Sequence, residues 1–128
     1  MSDANRHREH EALVGAVLLE LGADPRWRLW RREVGVGRPL NSPKAFVRYG
    51  VPGEADIGGI LKPFGRTIAL ECKTGTGKLS VKQKRFSAMF VDMGGLYIEV
   101  RDVQTAGLLL ERASERDYSW LDQINPGF

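Results

Sequence analysis

The chain has 128 residues, 42% hydrophobic and 27% charged, which suits one globular domain spanning 1–128 and excludes wholesale disorder. One cysteine excludes an intramolecular disulfide and a cysteine-rich zinc site. The net charge is only +3, too small by itself to imply a partner.

No apolar run approaches the roughly 20 residues of a membrane span, and Met1 to Arg6 opens no signal-peptide pattern. A soluble, cytoplasmic protein with no membrane contact is expected. Positive charge is concentrated mid-chain. Residues 26–48 hold seven basic side chains against Glu33, and residues 62–85 hold seven against Glu71. The first 25 residues and the stretch after Ile98 are each net −3. This distribution fits a polyanion-binding surface such as one for nucleic acid, or simply a solvated basic face.

In chain order, the spacing predicts a helix over 3–21, with Leu13, Val14, Val17, Leu18 and Leu21 as its apolar stripe and Gly22 as its stop. A strand is predicted over 27–36, a loop to Pro43, a short strand over 45–49 and a turn over 50–53. Strands over 56–61 and 67–73 follow, joined by a hairpin turn. A Gly-rich loop covers 74–78. A helix over 80–93 carries Val81, Phe86, Met89 and Phe90 on its apolar side. A strand over 96–100 and a helix capped by Asp102 complete the order. The expected fold is α/β, a central mixed sheet flanked by helices in the order α-βββ-α-β-α.

The chemistry is concentrated between Asp56 and Lys73. Glu71 and Lys73 are two apart on a strand, so both leave one face. Asp56 begins the preceding strand and converges with Glu71 at the sheet end. Two converging carboxylates repel unless a cation lies between them, and Mg²⁺ prefers such hard oxygen ligands. A lysine alongside suits phosphodiester cleavage. An exposed Glu-Lys ion pair would also explain the spacing.

The wider pattern adds Tyr49-Gly50-Val51-Pro52-Gly53 before Asp56-Ile57, Ile68-Ala69-Leu70-Glu71-Cys72-Lys73, and Ser80-Val81-Lys82-Gln83. Together these resemble the PD-(D/E)xK nuclease superfamily, and within it the VRR-NUC family, from the first helix to the strand at 96–100. One departure is Ala55, where the pattern has a proline.

The resemblance implies a restriction-endonuclease-like core. It implies Asp56, Glu71 and the Cys72 backbone carbonyl as metal ligands, Lys73 as the catalytic lysine and Gln83 as its support. A further glutamate comes from the first helix: Glu9, Glu11 or Glu20. All three flank the apolar stripe, and the register of related junction resolvases favours Glu11. Mg²⁺ is the implied cofactor, with Mn²⁺ an alternative. DNA contacts are expected from Arg31, Arg32, Arg38, Lys44, Arg48, Lys78 and Lys82.

The implied activity is that of a structure-selective endonuclease, a homodimeric Holliday-junction resolvase of a bacterial or phage-infected cell. A flap, nick or duplex nuclease and a non-catalytic branched-DNA module are the alternatives. Two motifs are set aside. Gly75-Thr76-Gly77-Lys78 lacks the outer residues of a P-loop, and His7 and His10 read as ordinary helix residues. The loop at Gly35 to Arg38 reads equally as a DNA-facing segment or a strand break. Trp27, Trp30 and Tyr49 read as core or as stacking platforms. The aromatic tail to Phe128 suits a dimer surface or packing on its own sheet.

Overall fold

In the computed structural model, residues 2–32, 35–37 and 47–115 are described, with backbone alone for 35–37 and 47–49. Ser2 starts the first helix: its hydroxyl accepts the Asn5 N–H, filling one of the donors a helix start leaves open. The elements are α1 (Asp3–Leu21), β1 (Trp27–Arg31), β2 (Gly35–Gly37), β3 (Val47–Tyr49), β4 (Ile57–Leu61), β5 (Arg66–Cys72), α2 (Val81–Asp92), β6 (Leu96–Val100) and α3 (Val103–Ser114). Ser80 and Asp102 cap α2 and α3.

Four strands form one mixed sheet in the order β1-β4-β5-β6. β1 and β5 both run antiparallel to β4, and β6 runs parallel to β5. A parallel neighbour requires a crossover, and α2 supplies it. Alternation along β5 divides the domain into layers. Ile68, Leu70 and Cys72 face one core with Val14 and Val17 of α1 and Ala106 and Leu110 of α3. Ala69 faces a smaller core with Ala55 and Phe86, flanked by Phe90 and Tyr97. Glu71, in phase with Ala69, therefore leaves on the α2 side.

The α/β class and the mixed sheet are as expected. Among the described residues five strands precede α2, where three or four were expected: β3 matches the strand expected over 45–49, β2 is additional, and the two pair as a separate antiparallel hairpin. The single strand expected over 27–36 is divided between β1 and β2. The reason is the length of its partner: the β1–β4 register ends at Arg31 opposite Ile57, and Arg32 N–H makes the last bond, to the Asp56 carbonyl at 2.8 Å.

The expected apolar side of α2 is also narrower. Phe86 and Phe90 pack, but Val81 and Met89 are exposed. Trp27 belongs to the main core, with its indole N–H donated to the Leu21 carbonyl at 2.9 Å. Trp30 is 40% exposed. The Tyr49 ring, Arg38, Lys44 and the tail after Glu115 lie outside the described residues. Among the described residues, no helix is long and apolar enough to cross a membrane.

Candidate metal centre

Glu71 ends near the carboxyl terminus of β5, beside the residue that leads into β4. Asp56 N–H donates to Glu71 Oε2 at 3.2 Å, and Cys72 N–H donates to Asp56 Oδ2 at 2.9 Å. Each acid is thus fixed by the other's strand. The turn before Asp56 is held against α2. Gly53 has φ +80, and a Cβ there would sit 2.3 Å from the Lys82 carbonyl oxygen. Gly53→Ala is expected to cost about 3 kcal/mol, read as a lower denaturation midpoint. It should also displace Asp56, which a titration with metal would detect as weaker binding.

Glu71 is only 3% exposed. Burial and the adjacent Asp56 carboxylate push its carboxyl up to about 7, and Lys73 works in the opposite direction. Lys73 Nζ lies 3.7 Å from Glu71 Oε1. Gln83 Nε2 donates to the same oxygen at 2.9 Å. The orientation of this amide is set by the helix cap, because Gln83 Oε1 accepts the Ser80 N–H at 2.8 Å. Asp56, Glu71, Lys73 and Gln83 are therefore brought together. Burial and the same two carboxylates push the Cys72 thiol up to about 12. Its side chain lies in the core, and its carbonyl leaves the same strand edge as the N–H that reaches Asp56.

Glu11 stands elsewhere. Its carboxylate is gripped by both Arg31 Nη atoms at 2.7 Å, which holds it down to about 2. The α1 side chain that reaches the acids is His10, whose Nε2 lies 3.0 Å from Asp56 Oδ2. One ligand atom each from His10, Asp56 and Glu71 lies within 4.8 Å of the others, close enough to hold a metal ion. The donor set fits a divalent cation. Two carboxylates, one nearly fully buried, carry more negative charge than Lys73 offsets once both are ionised, and the imidazole adds a nitrogen donor.

Sequence reasoning sets His10 aside, although a signal exists: His10, Val14, Val17 and Leu21 follow steps of four, three and four. They fall on one line of α1 whose later members meet the sheet.

Of the expected DNA-contacting residues, Arg31 holds Glu11 and Arg32 is paired with Glu54. Lys78 and Lys82 are exposed. The Arg48 side chain, like Arg38 and Lys44, lies outside the described residues.

A cleft of about 540 Å³ opens beside the acids, lined by Arg6, Glu9 and His10 of α1 and by Cys72 to Gly77. Its floor is held by Arg101, which sequence reasoning does not single out. Arg101 donates to the Gly75 and Gly77 carbonyls at 3.2 and 2.5 Å, and to Glu99.

The chain matches no known protein-family model and no curated protein.

Proposed function

We propose that the protein is a metal-dependent DNA endonuclease of the restriction-endonuclease-like class, similar to the VRR-NUC nucleases. The observation that carries this reading is the convergence of Asp56, Glu71, Lys73 and Gln83 on one point, with Glu71 bonded or paired to each of the other three. Such a convergence goes beyond an exposed ion pair, because Glu71 is buried.

Asp56 and Glu71 would hold Mg²⁺ or Mn²⁺, with the Cys72 carbonyl and His10 on the same side. The ion would supply Lewis-acid polarisation of a phosphodiester and a more acidic bound water. Lys73 sets a positive charge at the wall of the cleft, where it can steady a scissile phosphate or orient the attacking water. Gln83 fixes the Glu71 carboxylate so that one oxygen stays directed at the site. Arg6, the 74–77 backbone and Lys78 offer a strand of DNA a polar, partly basic track beside the acids.

Branched DNA is the proposed substrate and a homodimer the proposed form, since resolving a four-way junction takes two paired cuts and a two-fold dimer supplies two equivalent sites. The test is cleavage of labelled four-way junction, flap and linear duplex, with Mg²⁺ or Mn²⁺ and with EDTA. Paired symmetric nicks confined to the junction and lost in EDTA are the expected result. Metal-dependent cutting of flap or duplex would replace the substrate. Binding without cutting under either metal would replace the enzyme by a DNA-binding module.

A further inference from the structure

We infer that His10, not Glu11, is the third protein ligand of this centre. Glu11 positions the His10 imidazole from behind, and the nitrogen donor makes the site select a first-row transition ion over Mg²⁺. This rests on the metal-site part of the preceding reading, but not on the reaction.

The geometry that carries it is a relay of four side chains. Arg31 grips Glu11 through two 2.7 Å bonds. Glu11 Oε1 lies 3.6 Å from His10 Nδ1. His10 Nε2 lies 3.0 Å from Asp56 Oδ2 and within the cluster formed with Glu71. One ring nitrogen thus faces a carboxylate and the other faces the metal position. Ligand histidines commonly have a carboxylate beyond the second ring nitrogen; here Glu11 stands at that position in electrostatic contact with Nδ1, at 3.6 Å, rather than in a hydrogen bond.

Glu11 is poorly suited to ligate. Reaching the ion would require it to abandon a two-bond guanidinium clamp and to pass the ring of His10. His10 needs little movement. Donors on opposite sides of a Mg²⁺-sized ion lie about 4.2 Å apart, and the three donors already lie within 4.8 Å.

The chemical consequence concerns metal choice. Oxygen-only sites suit Mg²⁺, whereas an imidazole raises affinity for transition ions, which accept nitrogen donors more readily. Mn²⁺ is the useful probe because it is paramagnetic and can replace Mg²⁺ among oxygen ligands.

The experiment is Mn²⁺ titration of the full chain without DNA, followed by electron spin-echo spectroscopy of the bound ion. Wild-type protein is expected to bind Mn²⁺ at least about tenfold more tightly than Mg²⁺ and to show a directly coordinated ¹⁴N. His10→Ala should lose the ¹⁴N coupling and much of the Mn²⁺ preference. Glu11→Gln should keep the ¹⁴N coupling while weakening Mn²⁺ by about tenfold, which is the mark of a positioning residue rather than a ligand.

Bound Mn²⁺ without nitrogen coupling in the wild type would overturn the proposal, and that measurement needs no variant to fold. Loss of Mn²⁺ in Glu11→Gln with an unchanged His10→Ala would return the ligand role to Glu11. Nitrogen-coupled Mn²⁺ in a protein that cuts no DNA would remove the nuclease and leave the metal site. Cleavage with no nitrogen coupling would do the reverse.

Discussion

Lys73→Ala is expected to lower DNA cleavage by at least about 10³-fold while leaving DNA binding within a few-fold of wild type. Lys73 has two effects at this site. Its ammonium lies 3.7 Å from Glu71 Oε1, where it offsets part of the push that burial and Asp56 exert on the Glu71 carboxyl. It is also a cation on the wall of the cleft. Removing it should therefore weaken metal binding near neutral pH, because Glu71 holds its proton more tightly. Raising the pH or the metal concentration should restore the ion. If cleavage returns with the ion, Lys73 acts only through Glu71. If the ion returns and cleavage does not, Lys73 acts on the reacting phosphate or water, which is the expected outcome. Metal titration and single-turnover cleavage at pH 7 and pH 8.5 separate the two. Unchanged cleavage at pH 7 would sink the assigned role altogether.

How much of this is legible in the sequence depends on which interactions are local. Strand alternation alone places Glu71 and Lys73 on one face and Cys72 on the other, and Cys72 is buried in the main core. The short hairpin linking β4 to β5 brings Asp56 back beside Glu71. Ser80 followed by Gln83 reads as a helix cap, and that cap orients the Gln83 amide toward Glu71.

The α1 contribution is different, because it depends on packing between elements far apart in sequence. His10 and Glu11 are adjacent on one helix, about 100° apart around it, and only the seating of α1 against the sheet decides which faces the acids. The line through Val14 and Val17 includes His10, but it acquires meaning only once the end of the sheet carrying the site is known. The partners of Arg31 and Arg32 are equally non-local. A run of basic residues looks like a phosphate-contacting surface until Glu11 and Glu54 are found against two of its members. Arg101 is hidden for the same reason, since its role is to hold the carbonyls of a loop 24 and 26 residues away.

Metal binding and stability should be linked through Glu71 with a definite sign. Among the described residues the ionisable side chains around it are Asp56 from the residue before β4, Lys73 beyond the end of β5, Glu99 in register across on β6, Tyr97 of β6, and His10 of α1, which reaches it through the shared cluster. In the metal-free protein the Glu71 carboxyl is raised from an ordinary value of 4.5 to about 7. The folded state therefore keeps a proton that the unfolded chain has lost between those values. Its stabilising effect is complete below the unfolded value and disappears as pH rises through about 7. The metal-free denaturation midpoint should accordingly fall between pH 5 and pH 8 through this group.

A bound divalent ion reverses the dependence, because it requires the charged carboxylate and replaces the proton. Apparent metal affinity should rise by at least about tenfold per pH unit up to about 7, with the Glu71 proton released on binding, and flatten above. The increase in midpoint on adding Mn²⁺ should follow the same curve. Calorimetric titration in buffers of different protonation enthalpy would count the protons directly. Metal affinity independent of pH between 5 and 7 would mean that the buried carboxylate is not a ligand. It would count equally against His10, because an imidazole too binds a metal only after giving up its proton.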